Sequence, residues 1–367
     1  MLRMTEYLRE VLEGKEVRAF GDSVILIWNL TNRCNLYCKH CYSSAKDIRS
    51  YELTSEEATN LVKRLPHIKV KFAILSGGEP LLREDLFHIA KLLREQGIRT
   101  YLSTNGLLVR EFIRDIKEHF DYVGISIDGE LQVHDLFRGK RGAFEESLKA
   151  IRLCLEEGIR VGLRFTLTPQ TVNSLPFIFN LVEREGIPKL YISHLVYSGR
   201  AKRLTDLEKK EYRKVVKFII DKAFEYVERG TTIDIVTGNN EADAILLYRE
   251  FSKRYADLSD RLYERLVLWG GNQAGVRLIN IDHLGSVKPD PFFFHSVGNV
   301  RDEDLVKIWQ SNGLLSFLRE RPRRLKGRCG ECKYIDICNG NSRARAYAVF
   351  GDYREEDPAC YVKEVLP

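Results

Sequence analysis

Two patterns of apolar positions alternate along residues 22–205. Short runs of mostly β-branched and aromatic residues, bounded by turn residues, predict buried strands at 24–28, 70–75, 99–103, 122–127, 160–167 and 189–195. The stretches between them carry apolar residues at helical spacing and predict amphipathic helices at 55–65, 84–96, 111–118, 144–157 and 175–185. Because strand and helix alternate about six times, we expect right-handed βαβ units around a parallel sheet.

The rest of the chain follows other patterns. Residues 1–21 predict an N-terminal helical segment that precedes the alternating region. Residues 206–270 predict long charged helices with one short β-like run at 232–236, and we interpret them as a helical bridge. Residues 271–367 predict a short strand pair, a short helix and a cysteine-rich end, which together indicate a small C-terminal domain.

Composition narrows the class of protein and its partners. Hydrophobic residues make up 44% and charged residues 30%, as in an ordinary globular protein. The net charge of +6 is spread among interspersed charges of both signs, so a nucleic-acid interface is not indicated. The chain has no apolar run of membrane-spanning length and no secretory signal, so we expect a cytoplasmic protein without a membrane partner. Eight cysteines in such a chain favour metal binding over disulfides.

Three of the cysteines follow the first predicted strand. Cys34, Cys38 and Cys41 lie within eight residues, so their thiolates can surround one corner of a [4Fe–4S] cluster. Such a cluster normally takes four cysteines, and three would leave one iron open to bind another molecule. A zinc knuckle and a set of buried structural cysteines are the alternatives. Zinc would need a fourth ligand at matched spacing, and His40 lies too close to Cys41 to serve easily.

Polar and glycine residues cluster where the predicted strands end. The clusters are Ser76-Gly77-Gly78-Glu79, Ser103-Thr104-Asn105-Gly106 and Asp128-Gly129. In α/β barrels and doubly wound sheets, ligands bind at this carboxyl edge. The sequence therefore predicts a binding site there, beside the first three cysteines. Six units fall short of a closed eight-strand barrel, which would leave an open side for a large substrate.

Four further cysteines lie towards the C-terminus. Cys329, Cys332, Cys338 and Cys360 suffice to bind all four irons of a second cluster, which suits electron transfer or structural bracing. A zinc ribbon is the alternative on spacing alone. The eighth cysteine, Cys154, flanks the apolar stripe of the predicted helix at 144–157 and is interpreted as a buried core residue.

The first cysteine motif and the strand ends after it resemble the radical SAM family. Cys-x3-Cys-x2-Cys is similar to the signature of that family, and Gly77-Gly78-Glu79-Pro80 is similar to its GGEP motif. The resemblance implies a partial (β/α)6 TIM-type barrel and S-adenosyl-L-methionine (SAM) bound at a [4Fe–4S] cluster on Cys34, Cys38 and Cys41. It also implies that the GGEP turn binds the SAM amino group. The other SAM contacts that it implies are His40, Ser103, Asn105, Ser126, Asp128 and Arg164.

The C-terminal cysteines resemble the SPASM/twitch extension of radical SAM enzymes. This resemblance favours iron–sulfur over zinc and implies an auxiliary [4Fe–4S] cluster in a small C-terminal domain. Larger SPASM domains carry more cysteines. Here Asn341 stands where a further cysteine is common, and residues 288–291 replace another cysteine-bearing turn. We therefore expect two [4Fe–4S] clusters, one that binds SAM and one auxiliary.

The resemblance extends over nearly the whole chain to the radical SAM enzymes that modify siroheme-derived tetrapyrroles. It rests most strongly on residues 27–31, 122–129, 162–166, 193–200 and 338–346. It implies a role in heme d1 biosynthesis, in which propionate side chains are removed from 12,18-didecarboxysiroheme, an iron-bound tetrapyrrole, with a low-potential electron donor as partner. The alternative within the same branch is a deacetylase of the alternative heme pathway, which acts on the same molecule.

Candidate contacts for such a substrate follow from its chemistry. An anionic tetrapyrrole needs a broad apolar slot with cations at its rim, and arginine suits bidentate pairing with carboxylates. The candidate cations are Arg138, Arg141, Arg164 and Arg200, and the candidate wall is Phe292, Phe293 and Phe294. His194 and His295 are candidate ligands of the substrate iron, with a hydrogen-bonded structural histidine as the alternative for each.

Two other classes of function account for part of the pattern. A peptide-modifying radical SAM maturase would share the barrel and the auxiliary tail. Such maturases often carry an extra peptide-binding domain and a fuller cysteine set, and neither is visible in this sequence. A non-enzymatic iron–sulfur electron carrier would not explain a three-cysteine motif followed by GGEP.

Overall fold

The computed structural model describes residues 1–16, 21–46 and 51–362. Within these residues, eleven strands form one sheet. The strands are β1 (Leu2–Arg3), β2 (Val24–Asn29), β3 (Val70–Ser76), β4 (Arg99–Thr104), β5 (Tyr122–Ser126), β6 (Val161–Leu167), β7 (Lys189–His194), β8 (Asp234–Gly238), β9 (Leu278–Ile281), β10 (Ser286–Lys288) and β11 (Gly298–Asn299).

Helices connect and cover these strands. In chain order they are α1 (Met4–Leu12), α2 (Ser55–Arg64), α3 (Leu86–Glu95), α4 (Ile113–His119), α5 (Leu131–Arg138), α6 (Ala143–Glu156), α7 (Leu175–Arg184), α8 (Lys209–Glu228), α9 (Ala242–Arg254), α10 (Ser259–Trp269), α11 (Leu305–Ser311), α12 (Gly313–Arg319), α13 (Gly327–Gly330), α14 (Ile335–Cys338) and α15 (Arg343–Phe350). None of the helices in the described residues combines the length and apolarity needed to cross a bilayer.

The order of the strands confirms the predicted parallel barrel. The sheet runs β1-β8-β7-β6-β5-β4-β3-β2-β9-β10-β11, and β2 to β7 are the six predicted strands in sequence order. Each of these six pairs in parallel with the next one along the chain. Their carboxyl ends therefore share one edge, where the loops that carry the candidate residues meet.

Local sequence explains where the elements begin and end. Thr54 caps α2 through a capping box, in which its side chain accepts from the Glu57 N–H and the Glu57 carboxylate accepts from the Thr54 N–H. Helix α6 ends before Gly158, which adopts a φ of 69° in the left-handed region. The strands are apolar on both faces, and Leu26, Leu75 and Leu163 are fully buried between the sheet and its helices.

The segment at 206–270, interpreted from the sequence as a helical bridge, is part of the sheet. Its strand β8 pairs in parallel with β7, and the N-terminal strand β1 pairs antiparallel with β8. Arg9 on α1 fixes this contact by an ion pair of 2.9 Å with Asp234 and by donating to two backbone carbonyls. The C-terminal region joins the other side of the sheet, where β9 pairs in parallel with β2.

Candidate functional site

The three-cysteine loop follows β2 at the carboxyl edge of the sheet. The Cys38 side chain packs with Leu36 and Ala143 in a small apolar cluster, and Cys34 and Cys41 lie against this cluster. Burial raises the pKa of Cys34 to about 12 and raises the pKa of Cys38. Without a bound metal, these two thiols would thus stay protonated. A bound cation would favour their thiolate forms. Three thiols in one loop fit an iron–sulfur cluster in which three irons are bound by cysteine and one is open.

The Gly77-Gly78 turn packs backbone against backbone on this loop. The Gly78 N–H donates to the Thr31 carbonyl at 2.7 Å, and the Glu79 N–H donates to the Arg33 carbonyl at 2.7 Å. A Cβ on Gly78 would lie 2.0 Å from the Arg33 oxygen, and a Cβ on Gly77 would lie 2.5 Å from the Thr31 oxygen. Only glycine fits either position, so the turn and the cysteine loop form one unit.

Glu79 braces the turn from inside. Its side chain is fully buried, and its carboxylate accepts from the Leu81 N–H, the Thr104 hydroxyl and the Asn105 N–H, the last at 2.9 Å. Burial raises the pKa of Glu79 to about 7 although these donors lower it. The carboxylate is therefore committed to its own turn and to the end of β4.

Asp128 and Arg138 form a buried ion pair next to Cys38. The Arg138 Nη2 and Nε lie 2.6 Å and 2.7 Å from Asp128 Oδ2, and Nη1 donates to the Cys38 sulfur at 3.7 Å. The other carboxylate oxygen accepts from the Thr166 N–H. Arg138 is thus enclosed and does not lie at an open rim as expected, and the Asp128 carboxylate is occupied by Arg138 and the Thr166 N–H. The contact of Asp128 with SAM stays a prediction.

The remaining predicted SAM contacts lie around the same edge. The His40 ring stacks on Phe137 with centroids 4.5 Å apart, and burial lowers the pKa of His40 to about 3, so it is neutral. Asn105 is buried and donates to the Asn35 side chain inside the cysteine loop at 2.7 Å. Ser103 and Ser126 are half-buried near the ends of β4 and β5. The structure therefore gathers these positions beside the three cysteines.

Arg164 points across the strands without a carboxylate partner among the described residues. Its guanidinium carbon lies 4.8 Å from the centroid of Tyr191. Ser126 is paired with Arg164 in register, and a Cβ on Gly124 would lie 2.9 Å from the Arg164 side chain. Glycine at 124 thus leaves room for the arginine. A half-buried cation without a counter-charge is suited to binding an anionic group such as a carboxylate.

Arg200 holds the cysteine loop in place. Its Nε donates to the Cys38 carbonyl at 2.8 Å, its Nη1 donates to the Ala45 carbonyl at 2.7 Å, and its plane lies over Tyr37. Two of its guanidinium nitrogens thus serve the cysteine loop, and its contact with substrate carboxylates stays a prediction. Arg141 is exposed after α5, and the structure places it in no contact that decides its role.

His194 is buried at the end of β7, so the prediction that it binds the substrate iron is wrong. Its Nε2 lies 2.8 Å from Asp243 Oδ2, and the Tyr361 hydroxyl donates to Asp243 Oδ1 at 2.6 Å. Tyr361 directly follows Cys360. His194 is therefore a hydrogen-bonded structural histidine, the alternative named for it in the sequence analysis. It belongs to a buried network that fixes Cys360 against the barrel.

The three phenylalanines predicted to form a wall differ in their surroundings. Phe293 is buried and stacks on Tyr353 with centroids 5.1 Å apart. Phe292 lies edge-on to Tyr42, and Phe294 is half-buried below the Lys202 ammonium. Only the outer part of the wall is therefore open. His295 is exposed beside it.

The four C-terminal cysteines line one cavity. Its walls are formed by Cys329, Cys332, Cys338 and Cys360 together with Ile245, Ile335, Asn341 and Arg328. In the described part of the chain, no three His, Cys, Asp or Glu side chains converge tightly enough to hold a single ion. Four thiols around one cavity are a donor set that fits an iron–sulfur cluster. Burial raises the pKa of Cys360 to about 11, so a metal centre is again needed to favour thiolates.

Asn341 lines this cavity but is committed elsewhere. Its Nδ2 donates to the Asn240 side chain at 2.6 Å, and its Oδ1 accepts from the Glu241 N–H at 2.8 Å. Both partners lie just after β8. The residue that stands at a common cysteine position therefore joins the C-terminal domain to the barrel.

A buried ion pair holds the Cys360 segment. Arg345 and Asp357 are fully buried, with Nη2 2.8 Å from Oδ2, and Arg345 also donates to the Leu195 carbonyl after β7.

Cys154, by contrast, is fully buried on α6 away from both cysteine groups, as predicted for a core residue. Sequence reasoning missed Asn35, Tyr347 and Tyr353. Their contacts join segments far apart in the chain, and no local spacing signals them.

Comparison with known proteins supplies the context for these sites. A sequence model of the Radical SAM superfamily matches residues 28–182. The chain is 42% identical to the Pre-heme d1 synthase of Dinoroseobacter shibae over 99% of this chain and 92% of that protein. It is 40% identical to the Fe-coproporphyrin III synthase of Methanosarcina barkeri over 92% of this chain and 88% of that protein. The crystal structure of SuiB from Streptococcus suis bound to S-adenosylmethionine matches this chain with a TM-score of 0.73. The match covers 97% of this chain and 81% of SuiB, and at 15% identity it shows the fold alone.

Proposed function

Since the chain belongs to the radical SAM superfamily, and is thus an enzyme that uses SAM and a [4Fe–4S] cluster, we propose that it acts in heme d1 biosynthesis. In this proposal it removes propionate side chains from didecarboxysiroheme. The observation that carries the proposal is the 42% identity, across 99% of the chain, to a protein named Pre-heme d1 synthase. A tetrapyrrole substrate also agrees with the 40% identity to the Fe-coproporphyrin III synthase.

Residues of the carboxyl edge take defined roles in this proposal. Cys34, Cys38 and Cys41 hold the cluster, and the Gly77-Gly78 turn and Arg164 bind the amino and carboxylate groups of SAM. When bound, the cluster and SAM supply a 5′-deoxyadenosyl radical, which abstracts hydrogen from the substrate. The apolar surroundings of the cysteines keep water away from this point.

The C-terminal cavity is the proposed site of a second [4Fe–4S] cluster. Cys329, Cys332, Cys338 and Cys360 would close all four irons, which suits electron transfer and leaves no position for a substrate. The support is their common cavity, its apolar lining and the buried contacts that fix Cys360. A low-potential electron donor completes the set of partners.

One alternative function is favoured by a specific observation. Identity to the Fe-coproporphyrin III synthase is 40%, close to the 42% found for the Pre-heme d1 synthase. The two reactions differ in the side chain attacked, since the alternative is the removal of acetates from the same tetrapyrrole. The barrel and the cysteine sites would serve either reaction equally.

The test is a single-turnover product analysis. The protein is reconstituted anaerobically, its iron and sulfide are counted, and it is incubated with SAM, dithionite and didecarboxysiroheme while products are followed by mass spectrometry. About eight irons, 5′-deoxyadenosine and a loss of mass from the propionates support the proposal. Loss of mass from the acetates selects the alternative. SAM cleavage with an unchanged tetrapyrrole overturns the substrate, and Cys34→Ala is the inactive control.

A further inference from the structure

An aromatic stack lies beside the three-cysteine loop, built from two distant segments. It consists of Phe293, Tyr353 and Tyr347, with Phe293 to Tyr353 centroids 5.1 Å apart and Tyr353 to Tyr347 centroids 4.4 Å apart. The interplanar angles are 21° and 22°, so the three rings are nearly parallel. His295 stands almost perpendicular to Tyr347, at 83°, with centroids 4.9 Å apart.

Two contacts connect this aromatic stack to the cysteine loop. Phe292 lies edge-on to Tyr42, the residue after Cys41, with centroids 5.2 Å apart. On the other side, the Arg200 N–H donates to the Cys41 carbonyl, and two residues later the Lys202 ammonium lies 4.1 Å from the centroid of Phe294. The segment that carries Phe293 and His295 therefore contacts the end of the cysteine loop through Phe292 and lies against Lys202 through Phe294.

His295 is held in the arrangement of a metal-binding histidine. Its Nδ1 lies 3.1 Å from the Tyr353 hydroxyl, and its Nε2 lies 3.4 Å from the Tyr347 hydroxyl. With the proton on Nδ1, the ring donates to Tyr353 and presents the lone pair of Nε2. Metal-binding histidines are oriented in this way, since a hydrogen bond at one nitrogen fixes the other as the ligand. Iron binding at Nε2 would replace the contact with the Tyr347 hydroxyl, which at 3.4 Å is longer than the usual range for a hydrogen bond.

The tyrosines themselves are poor ligands. A phenolate would be needed to bind iron, and each tyrosine hydroxyl is instead engaged with a ring nitrogen of His295. The exposed imidazole of His295 can bind a metal ion in its neutral form. Among the groups of this surface, His295 is thus the one able to bind a ferric or ferrous ion carried by a flat aromatic molecule.

A cation lies beside these rings. Lys202 is exposed, lies over Phe294 and forms no ion pair within the described residues. A flat ring would find the half-buried Tyr347 and Tyr353, a nitrogen ligand and a cation for one of its carboxylates in one place. Resting on the proposed function, we propose that His295 is the axial ligand of the substrate iron, with Tyr353 as the residue that orients it.

The experiment measures binding with and without iron in the ring. Reconstituted holoprotein is titrated with didecarboxysiroheme and with its iron-free form, and the iron signal is followed by electron paramagnetic resonance. We expect His295→Ala to weaken binding of the iron form about tenfold or more, since even the hydrogen-bond partners of metal ligands are worth 10- to 100-fold. The iron-free form should bind with an unchanged Kd. Added imidazole should restore the nitrogen-ligated signal.

Two further variants separate ligation from packing. Tyr353→Phe keeps the stack but removes the hydrogen bond, so it should weaken the iron form and shift its spectrum while leaving the iron-free form unaffected. His67→Ala changes another exposed histidine, on the short turn after α2, and should match the wild type.

The outcomes distinguish this inference from the proposed function. If wild-type protein binds neither form, the tetrapyrrole function itself fails. If the wild type binds and His295→Ala keeps the same iron spectrum, only the axial ligand is refuted. Equal weakening of both forms would make His295 a packing residue and would equally overturn its assignment as a ligand.

Discussion

The ion pair between Asp128 and Arg138 should be the most costly contact to break near the three-cysteine loop. Both side chains are buried, and Arg138 Nη2 lies 2.6 Å from Asp128 Oδ2. Removing one partner of a buried pair leaves an uncompensated charge and typically costs about 3–5 kcal/mol. We therefore expect Arg138→Met to lower the free energy of unfolding by about that amount.

The same pair predicts a pH dependence. Although burial opposes it, Arg138 lowers the pKa of Asp128, so in the wild type the pair is fully stabilising above the unfolded pKa and fails only in acid. In Arg138→Met, burial is the largest influence left, opposed mainly by the Thr166 N–H, so the pKa of Asp128 should rise. A raised pKa favours folding at low pH and opposes it as pH rises. The cost of the substitution should therefore be smaller at pH 5 than at pH 8, by the linkage of protonation to folding.

Urea denaturation followed by circular dichroism, under anaerobic conditions, measures these free energies. The double variant Asp128→Asn/Arg138→Met removes both charges but keeps an acceptor for the Thr166 N–H, so it should be more stable than Arg138→Met alone. Lys117→Met, which breaks the exposed ion pair with Glu157, should cost about 1 kcal/mol or less. A loss below about 1 kcal/mol for Arg138→Met, or a double variant no more stable than it, would refute the reasoning.

Three other predictions concern the two cysteine sites. Gly78→Ala places a Cβ 2.0 Å from the Arg33 oxygen, so reconstituted iron should fall to about half, and full iron content would contradict the close packing. Cys154→Ala should keep wild-type iron content and lose about 1 kcal/mol in urea denaturation; loss of iron would make Cys154 a ligand. Arg164→Met should raise the Kd for SAM about tenfold in equilibrium dialysis, whereas an unchanged Kd would exclude Arg164 from the carboxylate contact.

The barrel could be predicted because its signals are local. Each of the strands β2 to β7 is a short run rich in β-branched and aromatic residues, and the helices between them carry apolar residues at helical spacing. Strand β8 was interpreted as part of a bridge because its run is short and is flanked by charged helices. Its place is decided by pairing with β7 and β1, which are distant in sequence. Pairing between distant segments leaves no periodic signal.

The residue types of the candidate site could be predicted, but the direction of each side chain could not. The three cysteines and the Gly77-Gly78 turn meet as expected, because consecutive strand ends share one edge. Arg138 and Arg200 were expected at a substrate rim, and both instead hold the cysteine loop from within. The local sequence does not distinguish an arginine whose side chain faces the substrate from one whose side chain is buried in the protein.

The hydrogen bonds that a cationic side chain already forms within the protein distinguish a structural cation from one that can bind a ligand. Arg138 and Arg200 use their donors on Asp128 and on backbone carbonyls of the loop. A guanidinium so engaged would have to break buried bonds before it could bind a substrate carboxylate, at a cost that the new pair would barely offset. Within the described residues, the cationic groups of Arg164 and Lys202 lie over aromatic rings and form no ion pair. A carboxylate can bind these two cations without breaking a bond, so we expect the anionic groups of SAM and of the substrate at Arg164 and Lys202.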